Sequence, residues 1–143
     1  MSNEIRRKRY MQKINHGRMR ISLLNQKLQS GSDFNDTETL LIIQKAYQEV
    51  VEVSTDILAM MLKDNELPPM DNYSNVKMAK DNHIISPESA DVLREANGLR
   101  NRIVHIYNDL DIDLLIRSVK RTLPQMEKYI EEVETWMSQT FHK

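Results

Sequence analysis

The chain has 143 residues, no cysteine and a formal net charge of −1. That length suits a single domain spanning residues 1–143 with its own core, and the lack of thiols excludes disulfides and thiolate metal sites. No apolar run approaches the ~20 residues needed to cross a bilayer, and the charged start Glu4–Arg9 lacks signal-peptide character, so a soluble cytoplasmic protein with no membrane partner is expected.

Only 3 glycines and 4 prolines interrupt a chain rich in good helix formers. From Glu4 to Gln29, the positions Tyr10, Ile14, Gly17, Ile21, Leu24 and Leu28 fall three and four apart. They form one stripe of an amphipathic helix, which Ser30-Gly31-Ser32 should end. Residues 1–30 carry eight basic side chains against Glu4 alone. Such a stripe can hold phosphates, which makes Arg6, Arg7, Lys8 and Arg9 candidate RNA contacts. It is equally a solvated helix face, the reading favoured on charge alone.

Asn35 or Asp36 can cap a second helix. Its broad apolar face runs through Leu40, Leu41, Ile43, Ala46, Tyr47, Val50, Val51, Ile57, Leu58 and Met61, and Leu67-Pro68-Pro69 should end it. A face this wide suits a central helix. A short helix over Tyr73–Asp81 follows. Ser86 then caps a fourth helix, with Pro87 at its first position and Glu88 in its first turn, and this helix should run to about Tyr107. Asp109 or Asp111 caps the last helix. Leu115, Val119, Leu123, Met126, Ile130, Val133 and Met137 form its stripe, and Pro124 inside it should bend it. No strand alternation and no repeat is present. The expected fold is all-α: an antiparallel bundle of four long helices plus one short one, paired as a homodimer, with the Met- and Ile-rich stripes in the core and dimer interface.

The fourth helix carries the chemistry. Arg100 and Tyr107 are seven apart and stand almost one above the other; Asn101 and His105 are four apart on the adjacent stripe. One side of the helix should therefore display a guanidinium, an amide, an imidazole and a phenol, with Leu99, Ile103, Val104 and Ile106 holding the helix elsewhere. An imidazole exchanges protons near neutral pH, and a guanidinium fork fits phosphate oxygens. RNA brings its own nucleophile, the ribose 2′-OH, so cleavage needs acid, base and charge stabilisation but no metal. Spacing alone is weak evidence, and an ordinary surface or interface histidine is the favoured reading on geometry.

Other constellations fall away. Asn108-x-x-Asp111-x-Asp113, with Asp109, lacks the glycine and closing glutamate of a calcium loop. His16, His83 and His142 have no ligand-like spacing. Trp136 reads as a packing residue, and Tyr10, Tyr73 and Tyr129 have no special company. No phosphate-binding glycine loop exists.

The string RNRIVHIY at 100–107 resembles the Arg-x4-His-x-Tyr signature of the HepT branch of the HEPN superfamily. Its setting, NYSNVKMAKDNHIISPESADVLREANGLRNRIVHIYNDLDIDLL, and the upstream TETLLIIQKAYQEVVEVSTDILAMML are also similar to that family. The likeness covers roughly residues 35–140; the basic helix within residues 1–34 lies outside its clearest part. The resemblance implies an all-α protein whose motif-bearing helices pair, so that two Arg/His sets line one cleft that cuts RNA without metal or cofactor. It implies Arg100 as the phosphate-stabilising group, His105 as base or acid and Asn101 as support; Arg102, a cation in the same string, is a further candidate RNA contact. It also implies an MNT-type nucleotidyltransferase antitoxin as partner, with Tyr107 as the residue that receives AMP. The alternative is a non-catalytic HEPN module that binds nucleotide or RNA beside such a partner. A purely structural dimer ranks last, because four polar groups are costly to place at an interface for packing alone.

Overall fold

The computed structural model describes residues 2–105 and 111–141. Five helices account for most of them: α1 (Asn3–Lys27), α2 (Thr37–Asp64), α3 (Asn72–Asp81), α4 (Pro87–His105) and α5 (Ile112–Thr140). Each begins on a short polar cap. The side chains of Ser2, Asp36, Asp71, Ser86 and Asp111 accept the N–H groups of Ile5, Thr39, Ser74, Ser89 and Leu114, which satisfies donors that the first turn leaves unpaired.

Two helix ends fall where no glycine marks them. The second helix stops at Asp64, before the Pro68-Pro69 pair expected to stop it. Glu66 turns to φ 62, Leu67 N–H donates to Leu62 O, and Glu66 N–H to Lys63 O. His83, at φ 58, ends α3 the same way, with Ile84 N–H on Ala79 O and His83 N–H on Lys80 O. This is the left-handed C-terminal motif that usually takes glycine. Glu66→Gly and His83→Gly are each expected to raise stability by about 1 kcal/mol. Urea denaturation measures the gain, and a loss at either position would contradict this account of the turn.

Contacts fix the directions. Tyr10 meets Asp64 and Lys13 meets Asp56, so α1 and α2 are antiparallel. Ser86 and Ser89 meet Glu132 while Arg121 meets Glu95, so α4 and α5 are antiparallel. Tyr47 pairs with Thr122 and Tyr129 with Ser54, so α2 and α5 run in parallel. The short α3 belongs to the connection that returns the chain from α2 to α4. The result is an up-down-up-down bundle with α2 at its centre.

The predicted stripes form the core. Tyr10, Ile14, Gly17, Ile21 and Leu24 of α1 are buried, as are all seven positions read on α5. Leu41 is a correction: it is 58% exposed, because it lies in the first turns of α2 on the side facing away from the bundle. The helix α5 continues through Pro124. Trp136 packs as expected, but Tyr10 and Tyr129 do have company. Tyr10 donates to Asp64 at 2.6 Å and stacks with Trp136 and Phe141, at ring centroids 5.4 and 5.6 Å away. Tyr129 donates to Ser54 O at 2.9 Å. Arg94 lies over the Tyr73 ring at 5.7 Å. A single sequence shows none of these pairings, since each joins residues from different elements.

Candidate active site

Helix α4 is anchored by Leu93, Ala96, Leu99 and Ile103, all buried. Its capped start is tied to α5, where the Glu132 carboxylate accepts from Ser86 N, Ser86 Oγ and Ser89 Oγ at 2.6, 2.8 and 2.8 Å. These contacts hold the polar residues of its last turns on the surface. Asn101, Arg102 and His105 are exposed, while Arg100 is half-buried against α2.

The structure brings Arg100 and Asn101 together and adds a residue the sequence reading missed. Arg100 Nη2 donates to Glu52 Oε1 at 2.9 Å, and Nη1 to Asn101 Oδ1 at 3.2 Å. Gln48, one turn before Glu52, donates its Nε2 to the same Oε1 at 2.9 Å. The Gln48 amide holds the Glu52 carboxyl below its ordinary value, partial burial opposes it, and Arg100 lowers it further. A carboxylate with a depressed pKa stabilises the fold above its ordinary titration range, and that contribution is lost as the pH falls through its folded value. The signal in the sequence was faint: a lone carboxylate within the apolar run Val50-Val51-Glu52-Val53.

The His105 side chain makes no hydrogen bond or ion pair with any described residue, and it stands apart from Arg100. Five residues correspond to about 7.5 Å of rise and about 140° of turn. The expectation that one side of α4 shows the whole set is therefore narrowed. Asn101 and His105 share the outer face, and Arg100 reaches it from the α2 side. Tyr107, Ile106, Asn108, Asp109 and His142 lie outside the described residues.

The basic stretch of α1 is not part of this cluster. Consecutive helical residues point about 100° apart, so Arg6, Arg7, Lys8 and Arg9 spread around the helix. Arg6 pairs with Asp64 at 3.7 Å. Arg6 and Arg9 line a cavity of about 250 Å³ with Tyr10, Met60, Lys63 and Asp64, and Arg7 lines another with Met11, Glu134 and Phe141. Further along, Lys13 meets Asp56, and both His16 and Arg20 meet Glu49. Arg6, Lys13 and Arg20 are thus one side of an ion-pair ladder between α1 and α2, in which each exposed rung contributes little, while Arg18 pairs with Glu134 of α5. Arg6 sits at the Asp64 end of α2, about 18 Å along the axis from Glu52, whereas α4 runs from Arg100 toward the opposite end.

Among the described residues no group of three or more His, Asp or Glu side chains could hold a metal ion, and no helix is long and apolar enough to cross a membrane. The chemistry available is an oriented guanidinium, a carboxamide and an open imidazole, a set suited to binding an anion and moving a proton.

Comparison with known proteins gives consistent matches. The family model described as "Ribonuclease HepT-like" matches residues 18–133. A protein of Archaeoglobus fulgidus named "Putative RNase" is 34% identical over 130 residues, covering 91% of this chain and 94% of that one. A protein of Aphanizomenon flos-aquae named "tRNA nuclease HepT" is 27% identical over 104 residues, covering 70% of this chain and 69% of that one. Among solved structures, a tri-AMPylated HEPN toxin of Shewanella oneidensis in complex with an MNT antitoxin superposes with a TM-score of 0.81 at 23% identity. It covers 88% of this chain and 96% of that one, and the likeness is one of fold.

Proposed function

Because this chain belongs to the ribonuclease HepT-like family of HEPN proteins, we propose that it is an endoribonuclease toxin that cuts RNA without a metal ion. The observation that carries the reading is the Arg100 guanidinium, held by Glu52 and Asn101 beside the outer face that exposes Asn101 and His105. Arg100 would bind the scissile phosphate and stabilise the charge that builds on it. His105 would take the 2′-OH proton or return one to the leaving oxygen. Asn101 supports the guanidinium, and Arg102, exposed beside it, adds a phosphate contact.

An open face gives little shelter to developing charge, and Arg100 and His105 diverge around α4. Both facts favour a cleft completed by a second copy of the chain. Two α4 helices facing each other would place the Arg100 of one protomer near the His105 of its partner. Regulation would come from an MNT-type nucleotidyltransferase. The Shewanella structure holds an AMPylated toxin with such a partner, and Tyr107, two residues beyond His105, is the phenol that would accept AMP. A bulky anion there would block an RNA groove by size and charge.

The test uses purified wild-type protein, RNA and excess EDTA. Shortened products are expected, and induced expression should arrest growth. RNA left intact with and without EDTA, together with unimpaired growth, would return the chain to the reading of a nucleotide- or RNA-binding module.

A further inference from the structure

We infer that Glu52 of α2 is a positioning residue for Arg100: it fixes the guanidinium in the orientation that meets the transition state, at some cost to ground-state RNA binding. The inference rests on the nuclease reading above. A guanidinium has five N–H donors. Glu52 and Asn101 occupy one on each Nη, and the Nε–H is buried with no partner among the described residues. One hydrogen on each Nη is left for phosphate oxygens. Glu52 is in turn held by Gln48, so the chain Gln48–Glu52–Arg100–Asn101 runs from α2 to α4 and removes the freedom of a long side chain. A positively charged group placed in advance stabilises developing charge without reorganising. The same carboxylate sits beside an Arg meant for a phosphate, and its negative charge opposes an incoming anion. Fixed orientation should therefore appear in kcat, and charge opposition in KM.

These opposed effects separate positioning from a merely structural role. Kinetics would be measured on a fluorescent single-stranded RNA oligonucleotide in EDTA. Glu52→Ala is expected to lower kcat at least tenfold, with KM unchanged or lower. Glu52→Gln keeps an acceptor oxygen and should fall between Ala and wild type. The double variant Arg100→Ala/Glu52→Ala should cut no more slowly than Arg100→Ala, because Glu52 acts through Arg100. Circular dichroism melts establish that each variant is folded; if the alanine variant is not, Glu52→Gln and its double with Arg100→Ala decide. A Glu52→Ala protein with wild-type or raised kcat, a raised KM with kcat intact, or losses that add to those of Arg100→Ala would overturn the inference while leaving the nuclease reading standing. A wild-type protein that cuts no RNA overturns the nuclease reading and this inference with it.

Discussion

Alanine at His105 is expected to reduce RNA cleavage by about 10²–10⁴-fold, the range typical for losing a general acid or base, while the fold stays intact. The side chain is exposed and bonds to no described residue, so its removal leaves no cavity and no stranded partner. Melting temperature should match wild type within experimental error. Cleavage at the wild-type rate in the alanine variant would remove His105 from the mechanism, and with it the reading of α4 as a nuclease helix. Arg100→Ala should cause a comparable loss of cleavage by a different route, since it removes charge stabilisation. Arg100→Lys should not restore activity, because an ammonium keeps the charge but loses the fork that Glu52 and Asn101 now orient. Arg100 is half-buried against α2 and its substitution leaves Glu52 without its cation, so a small fall in stability is expected there and none at His105. That contrast distinguishes a catalytic loss from a folding defect.

Tyr10→Ala is expected to be the most destabilising of these substitutions, by about 3–5 kcal/mol. Tyr10 is fully buried and joins three helices: it belongs to α1, donates to Asp64 of α2, and stacks with Trp136 of α5 and Phe141 just past it. Alanine would empty the ring position and remove the donor together. Tyr10→Phe separates the terms. It keeps the stacking and loses only the hydrogen bond, for a fall of about 1 kcal/mol, while Arg6 remains beside Asp64. Burial, followed by the bond to Asp64, drives the phenol pKa upward from its ordinary value, so the donor is present throughout the working pH range. Urea denaturation gives both values. A fall below 1 kcal/mol for alanine would mean that the ring cluster is incidental to the bundle.

The course of the chain was largely legible in advance because helices are written in local periodicity. On α1 the spacing of Tyr10, Ile14, Gly17, Ile21 and Leu24 gave the buried face directly, and on α5 the seven-residue stripe did the same. The cap at Ser86 was readable because a cap needs only a short polar side chain at the right place, and Asp36 and Asp111 were each one of two candidates, beside Asn35 and Asp109. The end of α2 was not. Glu66 adopts a positive φ that its own side chain disfavours, and the hydrogen bond from Leu67 to Leu62 holds it there. The exposure of Leu41 also escaped, since an apolar residue near a helix start carries no mark of which neighbour, if any, will cover it.

The site divides in the same way. Arg100, Asn101, His105 and Tyr107 stand out from sequence because they lie within eight consecutive residues and match a known signature. Their membership of a ribonuclease family follows from that local pattern. Which groups surround them depends on α2, whose Glu52 is 48 residues from Arg100 in the chain. Only tertiary structure could turn Glu52 and Gln48 toward Arg100, assign Arg6, Lys13 and Arg20 of α1 to a ladder with Asp64, Asp56 and Glu49, and place Arg6 toward the far end of the bundle. A sequence fixes what each helix offers on each face. Pairing between helices is settled by the packing of all the faces at once, and there a single charge such as Glu52 acquires a partner.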